Sequence, residues 1–262
     1  MTSKTEPRLL CYDLGEGVTA FSTTRHGGVS EANYASFNIN PYCGDSADHV
    51  ARNRQLLADK LGLPASHIVL PHQVHGIEHR AVASELLDMS DAVRDKILDG
   101  VDMVTTSKTG VCIGVSTADC IPVLLYDPVA RATAAIHAGW RGTLQRICQR
   151  AVMAMQLHYG TPPDRLRAVV GPGISLANFE VGQEVYDQFL QAGFDLTETA
   201  EWHTKWHLDL PGINIRELIG CGVAPEHIHH AGICTFDHAD DYFSARRLGI
   251  DSGRIYTGIL MR

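Results

Sequence analysis

Thr117-Ala118-Asp119-Cys120-Ile121-Pro122-Val123-Leu124-Leu125-Tyr126-Asp127-Pro128, followed by a run from Arg131 to His137 and then Ala138-Gly139-Trp140-Arg141-Gly142-Thr143, is the stretch that organises the chain. The apolar runs at 111–116 and 121–126 read as buried strands, and Arg131–His137 as a third after the Asp127-Pro128 turn. Cys120 thus precedes one strand and His137 ends another, each beside small or irregular residues. Rigid strands fix where such atoms sit, and small neighbours leave a ligand room to approach. His72 and His75, in Pro71-His72-Gln73-Val74-His75-Gly76, lie upstream in the same kind of setting. Together these segments offer one Cys and two or three His to a single site.

Working outward, residues 17–24 are rich in β-formers, and the Gly-, Asn- and Ser-rich segment from Arg25 to Gly44 reads as an ordered loop. Asp45 or Ser46 is expected to cap a helix ended by Gly62 and Pro64, with Val50, Asn53, Leu57 and Leu61 on one face. Strands are expected at 67–71 and 77–83, on either side of the histidine turn. The Gly139–Gly142 segment reads as a loop feeding a helix in which Leu144, Ile147, Cys148, Ala151, Val152 and Met155 keep 3/4 spacing. Gly160 and Pro162-Pro163 stop that helix. A strand at 167–171, a helix near 182–192, and a helix from Leu210 with Asp209 as cap and Pro211 in its first turn follow. Strands near 228–234 and 254–260 close the chain. The elements mix without strict βαβ alternation, which predicts α+β rather than a doubly wound sheet.

The length of 262 residues suits one large domain, and no repeat or linker divides it, so 1–262 is read as a single unit. A net charge of -8 argues against a nucleic-acid binder, although a local Arg cluster still suits a small anion. Met1–Pro7 lacks the apolar run of a leader, and no apolar segment is long enough to span a membrane. Seven scattered Cys without a Cys-x-x-Cys pair match a reducing, cytoplasmic setting rather than a disulfide framework.

His75, Cys120 and His137 would give the three ligands of a zinc site with one position left open. The gaps of 45 and 17 residues match no local finger pattern, however, and a His near a turn is more often a surface or core-edge residue. Two rivals use the same atoms. Cys120 as thiolate with His137 as base fits nucleophilic catalysis, and Cys with His also suits copper. The only His-x-His, His227-Ile228-His229 extended by His230, is too little for a copper array and reads as solvent-facing residues before a strand. Arg25, in Thr24-Arg25-His26-Gly27-Gly28-Val29-Ser30, offers a planar fork for phosphate or carboxylate, or else is a solvated Arg in a plain turn. Arg246-Arg247 with Arg254 read first as a charge pair on a solvated face and second as another anion site. Gly171-Pro172-Gly173-Ile174-Ser175 reads as a rigid turn.

Taken together, the motifs resemble the YfiH family, also called laccase-domain or multicopper polyphenol oxidase-like proteins. The resemblance rests on Phe21–Ser30, Gln73-Val74-His75-Gly76, Thr117-Ala118-Asp119-Cys120 with Pro122, His137–Gly142, Gly171-Pro172-Gly173-Ile174 and Phe243-Ser244-Ala245-Arg246-Arg247. It implies a four-layer α/β/β/α sandwich with mixed sheets, related to cysteine-hydrolase-like folds. It implies a zinc site at His75, Cys120 and His137, with copper as the older assignment. The implied activities are purine nucleoside phosphorylase, on adenosine, inosine and methylthioadenosine, and adenosine deaminase. Another is cytoplasmic removal of a wrong L-serine from a peptidoglycan precursor. On the first reading Asp119 is a candidate proton shuttle or a support for the ligands. Arg25, Asn38 and Arg246 are then candidates to hold phosphate near the nucleoside. A metal-stabilised interaction module without catalysis is the remaining class. His26 and the doubled Thr23-Thr24 depart from the family pattern around Arg25.

Overall fold

The computed structural model describes residues 6–262, so most of the Met1–Pro7 leader reading lies outside the described residues. β1 (Leu9–Tyr12) pairs antiparallel with β2 (Val18–Thr23). After the long loop, α1 (Ala47–Leu61) buries Val50, Asn53, Leu57 and Leu61 as its spacing predicts, and Gly62 ends it at φ 67. Ser46 occupies the cap position without a side-chain cap bond. β3 (Ile68–Val69) and β4 (Glu78–Ala81) flank the histidine turn.

Next come α2 (Ser84–Asp88), α3 (Asp91–Ile97) and β5 (Val101–Thr106), none of which the apolar spacing had marked. β6 (Cys112–Thr117), β7 (Ile121–Asp127) and β8 (Ala132–Ala138) are buried throughout, as continuous apolar runs require. The segment expected to be a loop at 139–142 instead opens a short helix, α4 (Trp140–Leu144). Arg146, at φ 60, breaks it from α5 (Ile147–Tyr159), so Leu144 belongs to the first piece and Ile147 to Met155 to the second.

The remainder comprises β9 (Arg167–Val170), β10 (Glu180–Val181), α6 (Gln183–Gln191), β11 (Ala200–Trp202) and β12 (Trp206–Leu208). Then follow α7 (Leu210–Gly220), β13 (Ile228–His230), α8 (Ala245–Leu248) and β14 (Ile255–Met261). Asp209 caps α7 by accepting from the Gly212 amide, and Pro211 sits in its first turn, as expected. His229 and His230 are exposed but lie within β13 rather than before it.

A five-stranded sheet, β1-β2-β14-β6-β3, faces a six-stranded sheet, β13-β9-β7-β8-β5-β4, and both mix parallel and antiparallel pairs. Between them lies one apolar layer that joins Ile113, Val115 and Ile259 of the first sheet to Val104, Leu124 and Val169 of the second. α1 covers the outer face of the first through Leu57, Ala58 and Leu61. α5 and α7 cover the outer face of the second through Ile147, Ala151, Met155, Ile213 and Leu218. The fold is therefore α+β, layered α/β/β/α as the resemblance implied. A small antiparallel sheet, β10-β12-β11, sits beside it.

Candidate metal centre

Strand register assembles the site. In the β7–β8 hairpin Pro122 pairs with His137 and Ile121 with Ala138, so Cys120, one residue before β7, falls beside the end of β8. β5 runs antiparallel to β8 with Met103 opposite Ile136, which brings Asp102 to the same end. β4 runs parallel to β5 from Glu78, so the turn preceding it returns His75 to that edge. The Cys120 Sγ and one ring nitrogen each of His75 and His137 lie within 4.8 Å of one another, the one such group of three found among the described residues. His137 is buried, Cys120 half-buried and His75 exposed, so the cluster is anchored on one side and open on the other.

Asp102, fully buried, is a participant that the sequence reading missed. Its Oδ1 accepts from His137 Nδ1 at 2.7 Å and from the His75 amide at 3.0 Å. Its Oδ2 accepts from the amides of Gly76 at 2.7 Å and Val74 at 3.2 Å. The only advance sign was a carboxylate set in the middle of Val101-Asp102-Met103-Val104. Burial alone raises a thiol and lowers an imidazole, but charge attraction and hydrogen bonding between Cys120 and His137, joined at the thiol by His75, prevail. Cys120 is brought down to about 6 and His137, with help from Asp102, is pushed up to about 9. Asp102 is held below the ordinary carboxylate range, because the His137 and backbone donors overcome its burial.

A thiolate and two imidazoles are donors that zinc accepts, and one glycine leaves space for the cluster to close around an ion. A Cβ at Gly139 would stand 2.9 Å from His75 Cδ2 and 3.2 Å from Cys120 Sγ. The residues present therefore fit a bound metal. Gln73 fixes the turn from behind: its Nε2 donates to the Ser116 carbonyl at 2.8 Å and its Oε1 accepts from the Ser116 amide at 2.7 Å.

The cluster lies in a cleft of about 530 Å³. Ile174 and Phe179 line it with apolar surface, and Asn40, Ser116, Thr117 and Arg246 with polar groups. The Thr117 hydroxyl is buried behind its wall, without a partner among the described residues. Arg246 lies over the Phe179 ring and donates to the Glu180 carbonyl.

Asp119, at φ 84, turns its carboxylate toward neighbouring loops rather than toward Cys120. Its oxygens accept from Thr235 Oγ1 at 2.7 Å and from the Arg246 amide at 2.6 Å. Asn38 is fully buried behind the cleft, donating to Asp45 and accepting from the Arg254 amide. Arg25 staples two loops by donating to the carbonyls of Ala35 at 2.8 Å and Ala239 at 2.6 Å. Of the three residues read as phosphate-holding, Arg246 lines the cleft and Arg25 and Asn38 do not. His72 lines it too, with Nδ1 2.7 Å from Asp99, outside the metal cluster.

Fold and site define a layered α+β protein with a His–Cys–His metal-binding group at the end of its larger sheet. The chain belongs to the multi-copper polyphenol oxidoreductase laccase family, whose model matches residues 19–262; this is the YfiH family. A purine nucleoside phosphorylase of Bacteroides thetaiotaomicron is 44% identical over 93% of this chain and 92% of its own. The adenosine deaminase RL5 of an unknown prokaryotic organism is 40% identical over 93% of this chain and 94% of its own. The crystal structure of the Bacillus licheniformis hypothetical protein YfiH superposes with a TM-score of 0.91 at 28% identity, covering 98% of this chain and 97% of that one. Among the described residues no helix is long and apolar enough to cross a membrane.

Proposed function

We propose that this protein is a zinc-dependent purine nucleoside phosphorylase, acting on adenosine, inosine and methylthioadenosine, with adenosine deaminase activity. The observation that carries the reading is the convergence of His75, Cys120 and His137 in a cleft sized for a nucleoside. The names of the two relatives support the substrate class. Zinc held by the three side chains would supply Lewis-acid chemistry at the wall of the cleft. The chain's own groups do the rest. Phe179 and Ile174 offer an apolar face to the base. Arg246 brings positive charge to a chain of net charge -8, which favours phosphate at that end of the cleft. Asp119 shapes this wall by holding the Arg246 amide, so its support role is favoured over proton transfer.

The test is inosine and adenosine turnover by metal-replete protein with and without phosphate, beside a metal analysis. Phosphate-dependent release of hypoxanthine and adenine is expected, and ammonia from adenosine. Neither product under conditions where a control phosphorylase works rejects the proposal; copper in place of zinc corrects the metal.

One observation favours a second reading. Thiol, imidazole and carboxylate follow one another as Cys120, His137 and Asp102, the order of a nucleophile, its base and the group that orients the base. On that reading the protein hydrolyses an amide in a peptidoglycan precursor in the cytoplasm. L-serine release by metal-free protein, lost in Cys120→Ala, would select it. A metal-stabilised module without catalysis would show a zinc-dependent rise in melting temperature and turn over neither substrate.

A further inference from the structure

We infer that Asp102 is the positioning residue of the metal centre: one buried carboxylate fixes both histidine ligands and thereby sets the affinity for the metal. The inference rests on the metal-site part of the proposed function and is independent of the substrate. Four donors converge on the carboxylate from two separate segments. His137 Nδ1 comes from the end of β8, and the amides of Val74, His75 and Gly76 come from the turn before β4. The His75 amide and His137 Nδ1 share one oxygen, so the two histidines are tied to each other through a single atom.

Each contact has a consequence at the site. With its Nδ1–H held on Asp102, the nitrogen at which His137 would give up a proton in exchange for a metal is Nε2, because a neutral imidazole keeps its proton at one nitrogen and its lone pair at the other. His75 sits at φ 62, a left-handed conformation that a non-glycine residue adopts only when held. The three amide bonds do the holding. Gly76 permits it, since a Cβ there would come within 3.3 Å of Asp102 Oδ2. Val74 and His75 are exposed, so these bonds hold the tip of a turn whose base Gln73 fixes to Ser116.

The chemistry also selects the residue type. A carboxylate accepts at both oxygens and donates nothing, which matches four incoming donors. An Asn of the same shape must turn an NH2 group toward one of the two pairs. Either the His75 amide and His137 or the amides of Val74 and Gly76 then face a donor. A buried carboxylate is costly in the interior of a strand, and no Lys or Arg ion pair offsets it: its one ion-pair partner among the described residues is His137. A purely architectural position would be served as well by Val.

The experiment measures zinc affinity of the full-length protein by competition with a chromophoric chelator, for wild type, Asp102→Asn and Asp102→Glu. Cobalt(II) is added as a spectroscopic probe of the thiolate–imidazole site. Asp102→Asn is expected to weaken zinc binding by about ten- to a hundredfold, the usual effect of removing a carboxylate behind a ligating histidine. Its cobalt absorption is expected to lose intensity and shift, and Asp102→Glu to recover part of the affinity. Equal affinity and an unchanged cobalt spectrum in Asp102→Asn overturn the inference even if the variant melts at a lower temperature. Should that variant fail to fold, amide exchange in metal-free wild type decides. The His75 and Gly76 amides are expected to be protected; exchange at the rate of an open loop overturns the proposal. Wild type that binds neither zinc nor cobalt overturns both this inference and the metal reading. Loss of phosphorylase activity with zinc binding intact leaves this one standing.

Discussion

Gln73 and Ser116 are paired as two residues of neighbouring strands would be, although Gln73 uses its side-chain amide to do it. Its carboxamide donates to the Ser116 carbonyl at 2.8 Å and accepts from the Ser116 amide at 2.7 Å. The turn carrying His75 is thereby attached to the end of β6, two residues before the Ala118–Cys120 segment begins its own turn. Gln73→Ala leaves both backbone groups of Ser116 unpartnered in a half-buried place. It is expected to lower stability by about 1–3 kcal/mol, the cost of orphaned polar groups, in urea titration. Metal retention through gel filtration should fall with it. A variant as stable and as metal-loaded as wild type would show that the pairing is incidental.

Gly139 makes a narrower point. A Cβ at this position meets the His75 ring at 2.9 Å and the Cys120 sulfur at 3.2 Å, while the backbone φ of -71 suits any residue. Gly139→Ala therefore leaves the fold intact and pushes the ligands apart. A displacement of this size is expected to reduce turnover by about a hundredfold. Melting temperature of the metal-free protein should hardly change. Full activity in the alanine variant would mean that the cluster does not close on a metal here.

Arg25 is expected to act on stability rather than on phosphate. Its guanidinium donates from Nε to the Ala35 carbonyl and from Nη1 to the Ala239 carbonyl, and lies over the Phe243 ring. Lys cannot make both bonds in that geometry. Arg25→Lys should cost roughly 1–3 kcal/mol of stability, as for buried hydrogen bonds lost. The KM for phosphate should move by less than about twofold, the mark of a residue outside the binding step. A large rise in KM at unchanged stability would return Arg25 to the substrate site.

Stability should also fall in mild acid through His79. Its ring is partly buried, 2.9 Å from Thr105 Oγ1 and close to the His158 ring. Burial first, then the neighbouring charges of His158 and Arg80, lower it from 6.5 to about 4. Below pH 6.5 the unfolded chain takes up a proton that the folded one excludes, so this contribution is lost progressively between pH 6.5 and 4. Urea midpoints should drop across that window in wild type. In His79→Gln the decline should be shallower; an identical decline assigns it to other groups.

Much of the site was legible before the fold. Cys120 and His137 stood out because a run of apolar residues marks a buried strand locally, and a reactive side chain at its end is visible in the same window. What hid β5 was the same logic in reverse. Its Asp102, Thr105 and Thr106 are buried polar residues, and the partners that satisfy them lie far along the chain. The break between α4 and α5 was hidden too, because apolar spacing continues through Arg146 while the backbone reverses hand.

The chain by itself determined the kinds of element, the strand-end positions of the thiol and imidazoles, and the family, since each rests on residues close together in sequence. Tertiary structure decided which groups face the cleft and which hold it together. Arg25 and Asn38 carry side chains suited to a ligand, yet neither lines the cleft and both are turned to backbone and side-chain partners. Asp102 sits in a strand that the apolar spacing does not reveal, yet it joins the two histidines. The physical reason is that a polar group's role depends on what satisfies it once water is gone, and those partners come from segments that only folding brings together.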